Sequence, residues 1–108
     1  MANLYKAFSQ IKSEQEFNNF LADLCTPAEI RDLNDRWKMA ELLYNTNLPQ
    51  DAIAKKLGAS VTTITRVARF LYNEKFGGYA TILPRVFPER ATRLAGKKVS
   101  SLSRIHHA

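Results

Sequence analysis

Apolar residues recur at helical spacing along most of this chain. Leu4, Phe8 and Ile11 share one face of a first short helix. From Phe17 to Leu24 the apolar positions recur at i, i+3, i+4 and i+7, which is the pattern of an amphipathic helix. The sequence has neither a sustained alternation of apolar and polar residues nor a two-residue hairpin turn, the usual signs of β-strands. The pattern therefore predicts an all-α fold of about six helices.

Capping signals mark where two of these helices begin. Ser13 is followed by Glu16 three residues later, a capping box in which each side chain accepts the other residue's backbone N–H. Thr26, Pro27 and Glu29 combine an N-cap threonine, a proline at the first helical position and a glutamate in the first turn. The apolar stripe that follows this second signal predicts a long third helix.

Residues 48–71, with the sequence LPQDAIAKKLGASVTTITRVARFL, predict a short helix, a tight turn and a second helix. Ala54 is small where the two helices would cross. Gly58 suits the left-handed backbone of the turn, which costs other residues roughly 1 kcal/mol or more. Val61 and Ile64 are expected to point inward. Two helices joined in this way form the helix-turn-helix unit, whose second helix enters the major groove of DNA.

The outward positions of this helix-turn-helix carry side chains that DNA recognition uses. Threonine hydroxyls bond phosphates and base edges, and arginine binds guanine through two hydrogen bonds. Three β-branched threonines are also poor choices for a helix face that only meets solvent. We therefore predict a DNA-binding surface made of Gln50, Lys55, Lys56, Ser60, Thr62, Thr63, Thr65, Arg66 and Arg69. The alternative is a helix-turn-helix that serves protein interaction and does not read DNA.

The composition is that of a single small globular domain, and the distribution of charge indicates which class of partner it binds. The 108 residues carry a net charge of +6, and 45% of them are hydrophobic. The excess of lysine and arginine lies in the helix-turn-helix and in residues 84–108, which favours a polyanionic partner. We predict a helical domain over residues 1–83. Residues 84–108 are predicted to be a flexible basic tail, which either adds phosphate affinity or only keeps the protein soluble.

Other classes of protein are disfavoured by what the sequence lacks. No apolar run is long enough for a membrane helix and the N-terminus lacks the layout of a signal peptide, so we expect a cytoplasmic protein without a membrane partner. Cys25 is the single cysteine, and the adjacent His106 and His107 have no partner ligands nearby. Neither a catalytic set of residues nor a phosphate-binding glycine loop is present. We therefore predict no enzyme activity, no metal site and no cofactor.

Three blocks of sequence resemble the tryptophan repressor superfamily. They are TPAEIRDL at 26–33, AKKLGASVTTITR at 54–66 and FLYNEKFGGY at 70–79, of which the last is most similar to the YerC/YecD-type branch. The resemblance covers about residues 17–83. It implies a homodimer in which the N-terminal helices of two copies interlace. Such a dimer would hold its reading helices about one DNA turn apart and repress transcription at a palindromic site on double-stranded DNA.

The resemblance also implies a site for a small effector. In tryptophan repressors the corepressor's ring lies between two arginines, near a threonine at the cap of the long helix and another in the reading helix. Matched by motif, those positions are Thr26, Arg36, Thr63 and Arg66. Val67 and Phe70 stand where the repressors have glycine and serine. These larger side chains are expected to fill the space of an indole ring, so we predict no tryptophan binding, with a different small effector as the alternative.

Overall fold

The computed structural model describes residues 3–73 and 76–90, and within this part of the chain all the regular structure is helical. Six helices follow one another without a strand among the described residues, which confirms the predicted all-α class. Their bounds are α1 Leu4–Ser9, α2 Glu14–Leu24, α3 Pro27–Asn45, α4 Gln50–Leu57, α5 Val61–Tyr72 and α6 Gly78–Val86. The chain forms two compact units, and the boundary between Asn34 and Asp35 lies within α3.

The first unit contains α1, α2 and the start of α3. The Phe8 ring stacks on Phe17 at 6.0 Å between centroids and meets Phe20 edge-on at 5.8 Å. At the start of α3 the predicted capping box is complete: the Glu29 N–H donates to the Thr26 Oγ1 at 3.1 Å, and the Thr26 N–H donates to the Glu29 Oε1 at 2.8 Å. Neither α1 nor α2 contributes a buried residue.

The start of α2 differs in one detail from the predicted capping box. The Ser13 hydroxyl oxygen accepts the Glu16 N–H at 3.1 Å, as expected. The Glu16 carboxylate, however, accepts from the Lys12 N–H at 2.9 Å. Reaching one residue further back still satisfies a backbone donor before the helix begins, so α2 starts where the sequence predicts.

The core of the second unit is built by α3, α4, α5 and α6. Ala54 and Ile64 are buried where the sequence places them, and Gly58 takes φ +65° at the end of α4. Val61 differs from the prediction, because half of its surface is exposed at the first turn of α5. The buried apolar residues are Met39, Ala40, Leu43, Ile53, Ala54, Ile64, Val67, Ala68, Leu71 and Leu83.

The packed structure extends beyond residue 83, where the sequence predicts that the tail begins. Pro84 lies inside α6, and the Phe87 ring stacks on Trp37 at 6.4 Å between centroids. Arg90 donates from Nε to the Tyr44 carbonyl at 3.0 Å. Pro84 removes one backbone hydrogen bond from α6, and the contact of Phe87 with Trp37 continues the packed region beyond it. The rest of the predicted basic tail, residues 91–108, lies outside the described residues.

None of the described helices combines the length and the apolar content that crossing a membrane requires.

Candidate nucleic-acid interface and neighbouring pocket

The second helix of the helix-turn-helix, α5, separates a buried face from a polar face. Its apolar positions Ile64, Val67 and Ala68 are buried in the core of the second unit. Four of the five predicted DNA contacts that lie on α5 remain exposed, namely Thr62, Thr65, Arg66 and Arg69. This division of faces is what a reading helix needs, since one side must hold the domain while the other reaches base edges.

Two of the predicted DNA contacts hold the start of α5. The Ser60 hydroxyl oxygen accepts the Thr63 N–H at 3.2 Å, and the two hydroxyl oxygens lie 2.9 Å apart. A hydrogen bond of this kind satisfies one of the backbone donors that a helix leaves unpaired at its first turn. Ser60 and Thr63 therefore have a structural role in addition to any contact with DNA.

The remaining predicted contacts belong to α4. Lys55 and Lys56 are exposed in its last turn, next to the turn at Gly58. Gln50 is the first residue of α4, and its side-chain Oε1 accepts a hydrogen bond from the Thr65 hydroxyl at 2.9 Å. This bond joins the two helices of the helix-turn-helix on the polar side. It could not be read from the sequence, because the two residues are fifteen positions apart and belong to different helices.

Aromatic rings support the arginines of α5. The guanidinium carbon of Arg66 lies 4.5 Å from the centre of the Phe70 ring, and that of Arg69 lies 5.2 Å from the same centre. The Phe70 ring in turn stacks on Phe76 at 6.3 Å between centroids. A guanidinium this close to a ring face is attracted by the ring's electrons, which restricts the orientation of both arginines.

A pocket of about 480 Å³ lies beside these arginines within the second unit. This volume falls within the range of small-molecule sites. Its lining combines the guanidinium groups of Arg36 and Arg66 with a largely aromatic and aliphatic wall. Burial raises the pKa of the Tyr79 hydroxyl there, although the positive charges of Arg36 and Arg66 act to lower it. The lining residues are Arg36, Trp37, Arg66, Val67, Phe70, Phe76, Gly78, Tyr79 and Ile82.

The prediction that Val67 and Phe70 would fill this space is wrong. Val67 is 2% exposed and packs into the core, so the pocket meets only part of its surface. Phe70 stands as one wall, stacked against Phe76. Both side chains therefore line a cavity, and the expectation about tryptophan stays a prediction.

The structure brings together two of the four predicted effector residues. Arg36 and Arg66 line the pocket, whereas Thr63 is not among its lining residues and bonds to Ser60. Thr26 belongs to the first unit, where it caps α3. Sequence reasoning missed the aromatic wall formed by Phe76 and Tyr79; the only local signal was that both flank the glycine pair at 77–78.

No group of three or more His, Cys, Asp or Glu side chains in the described ranges is arranged to hold a metal ion. Nothing in the polar face of α5 or in the pocket resembles a nucleophile with its base. What the site offers is hydrogen-bond donors, hydroxyl groups and positive charge on an exposed helix, which suits the recognition of phosphates and base edges. The two helices joined at Gly58, with the polar face of α5 exposed, define a protein of the helix-turn-helix class.

The chain belongs to the Trp repressor protein family, whose family model matches residues 1–86. It is 38% identical over 65 residues to the Trp operon repressor homolog of Xylella fastidiosa strain 9a5c, which covers 60% of this chain and 71% of that protein. It is 36% identical over 83 residues to the uncharacterized protein YerC of Bacillus subtilis strain 168, covering 77% and 78%. No solved structure matches the chain.

These comparisons confirm the resemblance drawn from the sequence, including its YerC-type branch. The family is one of DNA-binding regulators and is not a family of enzymes.

Proposed function

We propose that this protein is a transcriptional repressor that reads a palindromic site on double-stranded DNA as a homodimer. The observation that carries the proposal is the division of α5 into a buried apolar face and an exposed face of threonines and arginines. The threonine hydroxyls and arginine guanidinium groups of this exposed face can form hydrogen bonds with base edges and with phosphate oxygens. The membership of a family of DNA-binding regulators supports the same conclusion.

Dimerisation is supported by the apolar residues of the first unit. Leu4, Phe17 and Leu24 are each more than two-fifths exposed, and α1 and α2 have no buried residue of their own. A second copy would bury these side chains in a shared core. The two α5 helices of such a dimer would lie about 34 Å apart, one turn of DNA, and so would read two half-sites related by two-fold symmetry.

The experiment that tests the proposal replaces the outward arginines of α5. Arg66→Ala and Arg69→Ala should each weaken binding to a duplex selected by the wild-type protein by roughly 5- to 150-fold, since an arginine contact to a base contributes about 1–3 kcal/mol. Lys38→Ala, which removes one exposed positive charge from α3, is the matched control and should bind like wild type. Circular dichroism should show unchanged helix content in all three variants.

The same measurement separates DNA reading from the alternative of a protein-interaction module. Binding to DNA should weaken steeply as salt is added, because each neutralised phosphate releases counterions. If both arginine variants bind DNA as the wild type does, α5 does not read DNA. Binding that ignores salt would lead to the same conclusion.

The pocket between Arg36 and Arg66 favours control by a small effector as a second, compatible function. Two guanidinium groups beside an aromatic wall suit a small anion with an apolar body. We expect no saturable rise of the melting temperature with tryptophan, because the Phe70 ring that lines the pocket already contacts Arg66 and Phe76.

A panel of aromatic and aliphatic carboxylates, with tryptophan among them, tests this second function by thermal shift. A compound that fits should raise the melting temperature of the wild type in a saturable way, since it binds only the folded state. The matched variant is Arg36→Ala, which removes one guanidinium from the pocket and leaves α5 intact. A rise that persists in Arg36→Ala would place the compound elsewhere. A saturable rise with tryptophan would show that the stacked rings leave room for an indole.

A further inference from the structure

We propose that Phe70 is a positioning residue for DNA recognition. Its ring holds the Arg66 and Arg69 side chains of α5 in one arrangement, and this arrangement determines how sharply α5 discriminates between bases. The inference rests on the proposed DNA-binding function and assigns a role to a residue that does not itself contact DNA. Phe70 would act only through the two arginines.

Both arginines contact the same ring. Residues four positions apart are neighbours on a helix, which brings Arg66 next to Phe70. The guanidinium carbon of Arg66 lies 4.5 Å from the ring centre, and that of Arg69 lies 5.2 Å from it. Both distances are within the roughly 6 Å over which a cation is attracted to an aromatic ring. The orientation of one ring therefore affects two of the predicted DNA contacts at once.

The Phe70 ring is itself held from the side of the pocket. Phe76 stacks on it at 6.3 Å between centroids, with the two ring planes 18° apart. Phe70 is partly buried as a wall of the pocket, whereas Arg66 and Arg69 are exposed. The Phe76 ring is 75% exposed, so its contact with Phe70 adds little to the core. The aromatic pair is thus a support at the surface, beside the side chains that are predicted to reach DNA.

Holding the arginines before DNA arrives favours specific binding. An exposed arginine samples many rotamers and loses them when it binds, whereas one held against a ring has already lost part of that freedom. Arg66 and Arg69 also carry like charges three positions apart on one helix, and the Phe70 ring attracts both. Paired hydrogen bonds to a guanine edge need a defined guanidinium orientation, while nonspecific binding depends mainly on charge. The ring should therefore act on base discrimination more than on general affinity for DNA.

Phe70→Leu tests the inference on the full chain, because leucine keeps an apolar side chain and removes the ring without changing the charge. Dissociation constants are measured for a duplex selected by the wild type and for an unrelated duplex, without added small molecules. Binding to the selected duplex should weaken about fivefold, as the loss of two exposed cation–π contacts implies. Binding to the unrelated duplex should be unchanged, since nonspecific affinity depends on charge. Phe70→Tyr keeps the ring and should bind both duplexes like wild type.

Phe87→Leu is the matched control, because it removes a ring of the second unit that stacks on Trp37. It should leave the ratio of the two dissociation constants at the wild-type value. A variant that combines Arg66→Ala with Arg69→Ala should lose no further affinity when Phe70→Leu is added, since the ring then has nothing to orient. One low salt concentration is used throughout, so that weak variants still bind measurably.

Proton NMR gives a readout that does not depend on DNA. Protons that lie over the face of an aromatic ring resonate upfield, so the side-chain protons of Arg66 and Arg69 should be shifted in the wild type and in Phe70→Tyr. Phe70→Leu should remove this shift. Unshifted protons in the wild type would show that the ring does not hold the arginines in solution, which contradicts the inference.

Other outcomes of the binding assay also overturn the inference. Equal losses on both duplexes, with a lower melting temperature, would show that the Phe70 ring only stabilises the fold. A further loss from Phe70→Leu when both arginines are absent would show that Phe70 contacts DNA itself. Wild-type discrimination in Phe70→Leu, while Arg66→Ala and Arg69→Ala bind weakly, would contradict the inference and leave the proposed function intact. A wild-type protein that selects no duplex would overturn the proposed function itself.

Discussion

At Gly58 the backbone takes φ +65°, a conformation that other residues adopt only with strain. The bend ends α4 with two backbone hydrogen bonds, from the Gly58 N–H to the Lys55 carbonyl at 3.3 Å and from the Ala59 N–H to the Ala54 carbonyl at 2.9 Å. A Cβ built on Gly58 meets no atom within 4 Å. Glycine is therefore favoured at position 58 because of its backbone conformation, and not because a side chain would lack space.

Gly58→Ala should accordingly lower the free energy of unfolding by about 1 kcal/mol, the cost of a left-handed backbone in alanine. The change is measured by urea denaturation. Gly78→Ala is the matched control, because Gly78 is helical without a positive φ and also has open space around its Cα. That variant should be as stable as the wild type or slightly more so. Equal stability of wild type and Gly58→Ala would show that the turn relaxes to another conformation.

Among the elements, α3 is held at its C-terminal end by side chains from later in the chain. The Tyr72 hydroxyl on α5 donates to the Leu43 carbonyl at 3.2 Å, and Arg90 donates to the Tyr44 carbonyl at 3.0 Å. Carbonyls in the last turn of a helix have no partner within the helix, so these bonds satisfy groups that would otherwise need water. Burial raises the pKa of Tyr72, and the charge of Arg90 lowers it by less.

The raised pKa of Tyr72 predicts how stability changes at alkaline pH. The folded state holds the phenolic proton more tightly than the unfolded chain does, so this contribution is complete below the ordinary pKa of 10.0 and is lost as pH rises through the raised value. Tyr72→Phe should be about 1 kcal/mol less stable at pH 8, where the hydroxyl still donates. Its loss of stability from pH 8 to pH 11 should be smaller than that of the wild type. If urea denaturation shows that the wild type and Tyr72→Phe lose the same free energy of unfolding between pH 8 and pH 11, Tyr72 ionises as easily in the folded state as in the unfolded chain.

For the whole molecule, the two compact units differ in how they are stabilised. Among the residues that the structure describes, the second unit has a core of ten buried apolar residues. In the first unit Phe8 forms a cluster with Phe17 and Phe20, and none of the three is buried. Apolar rings that remain in contact with water contribute only part of their transfer free energy. A second copy that covers them would add to the stability of both units.

We therefore expect the melting temperature to rise with protein concentration, since dimerisation stabilises the folded state by mass action. Sedimentation at the same concentrations should give twice the 12.3 kDa mass of the chain. Phe17→Ser, which removes a ring of the exposed cluster, should shift the equilibrium toward the monomer. A melting temperature that is constant over a hundredfold range, together with the mass of one chain, would contradict the dimer.

The parts of the structure that the sequence predicted well depend on residues close together in the chain. The caps at Ser13 and Thr26 each need a partner only three residues away, and the turn at Gly58 is set by the backbone of that residue. The polar face of α5 also follows from helical spacing alone. The predicted end of the packed region at residue 83 was wrong. A proline at position 84 disfavours a helix on local grounds, and the sequence does not show that Phe87 packs on Trp37 further along.

The sequence by itself thus determined the helices, the helix-turn-helix and the family, because periodicity, capping and turn conformation are local properties of the chain. Only the tertiary structure decided that Thr65 bonds to Gln50 and that Val67 and Phe70 line a pocket beside Arg36. These arrangements join residues on different helices, and no periodic pattern encodes how far apart such helices lie. The distance between packed helices is set by side-chain volume across the whole core, which is a property of the folded molecule.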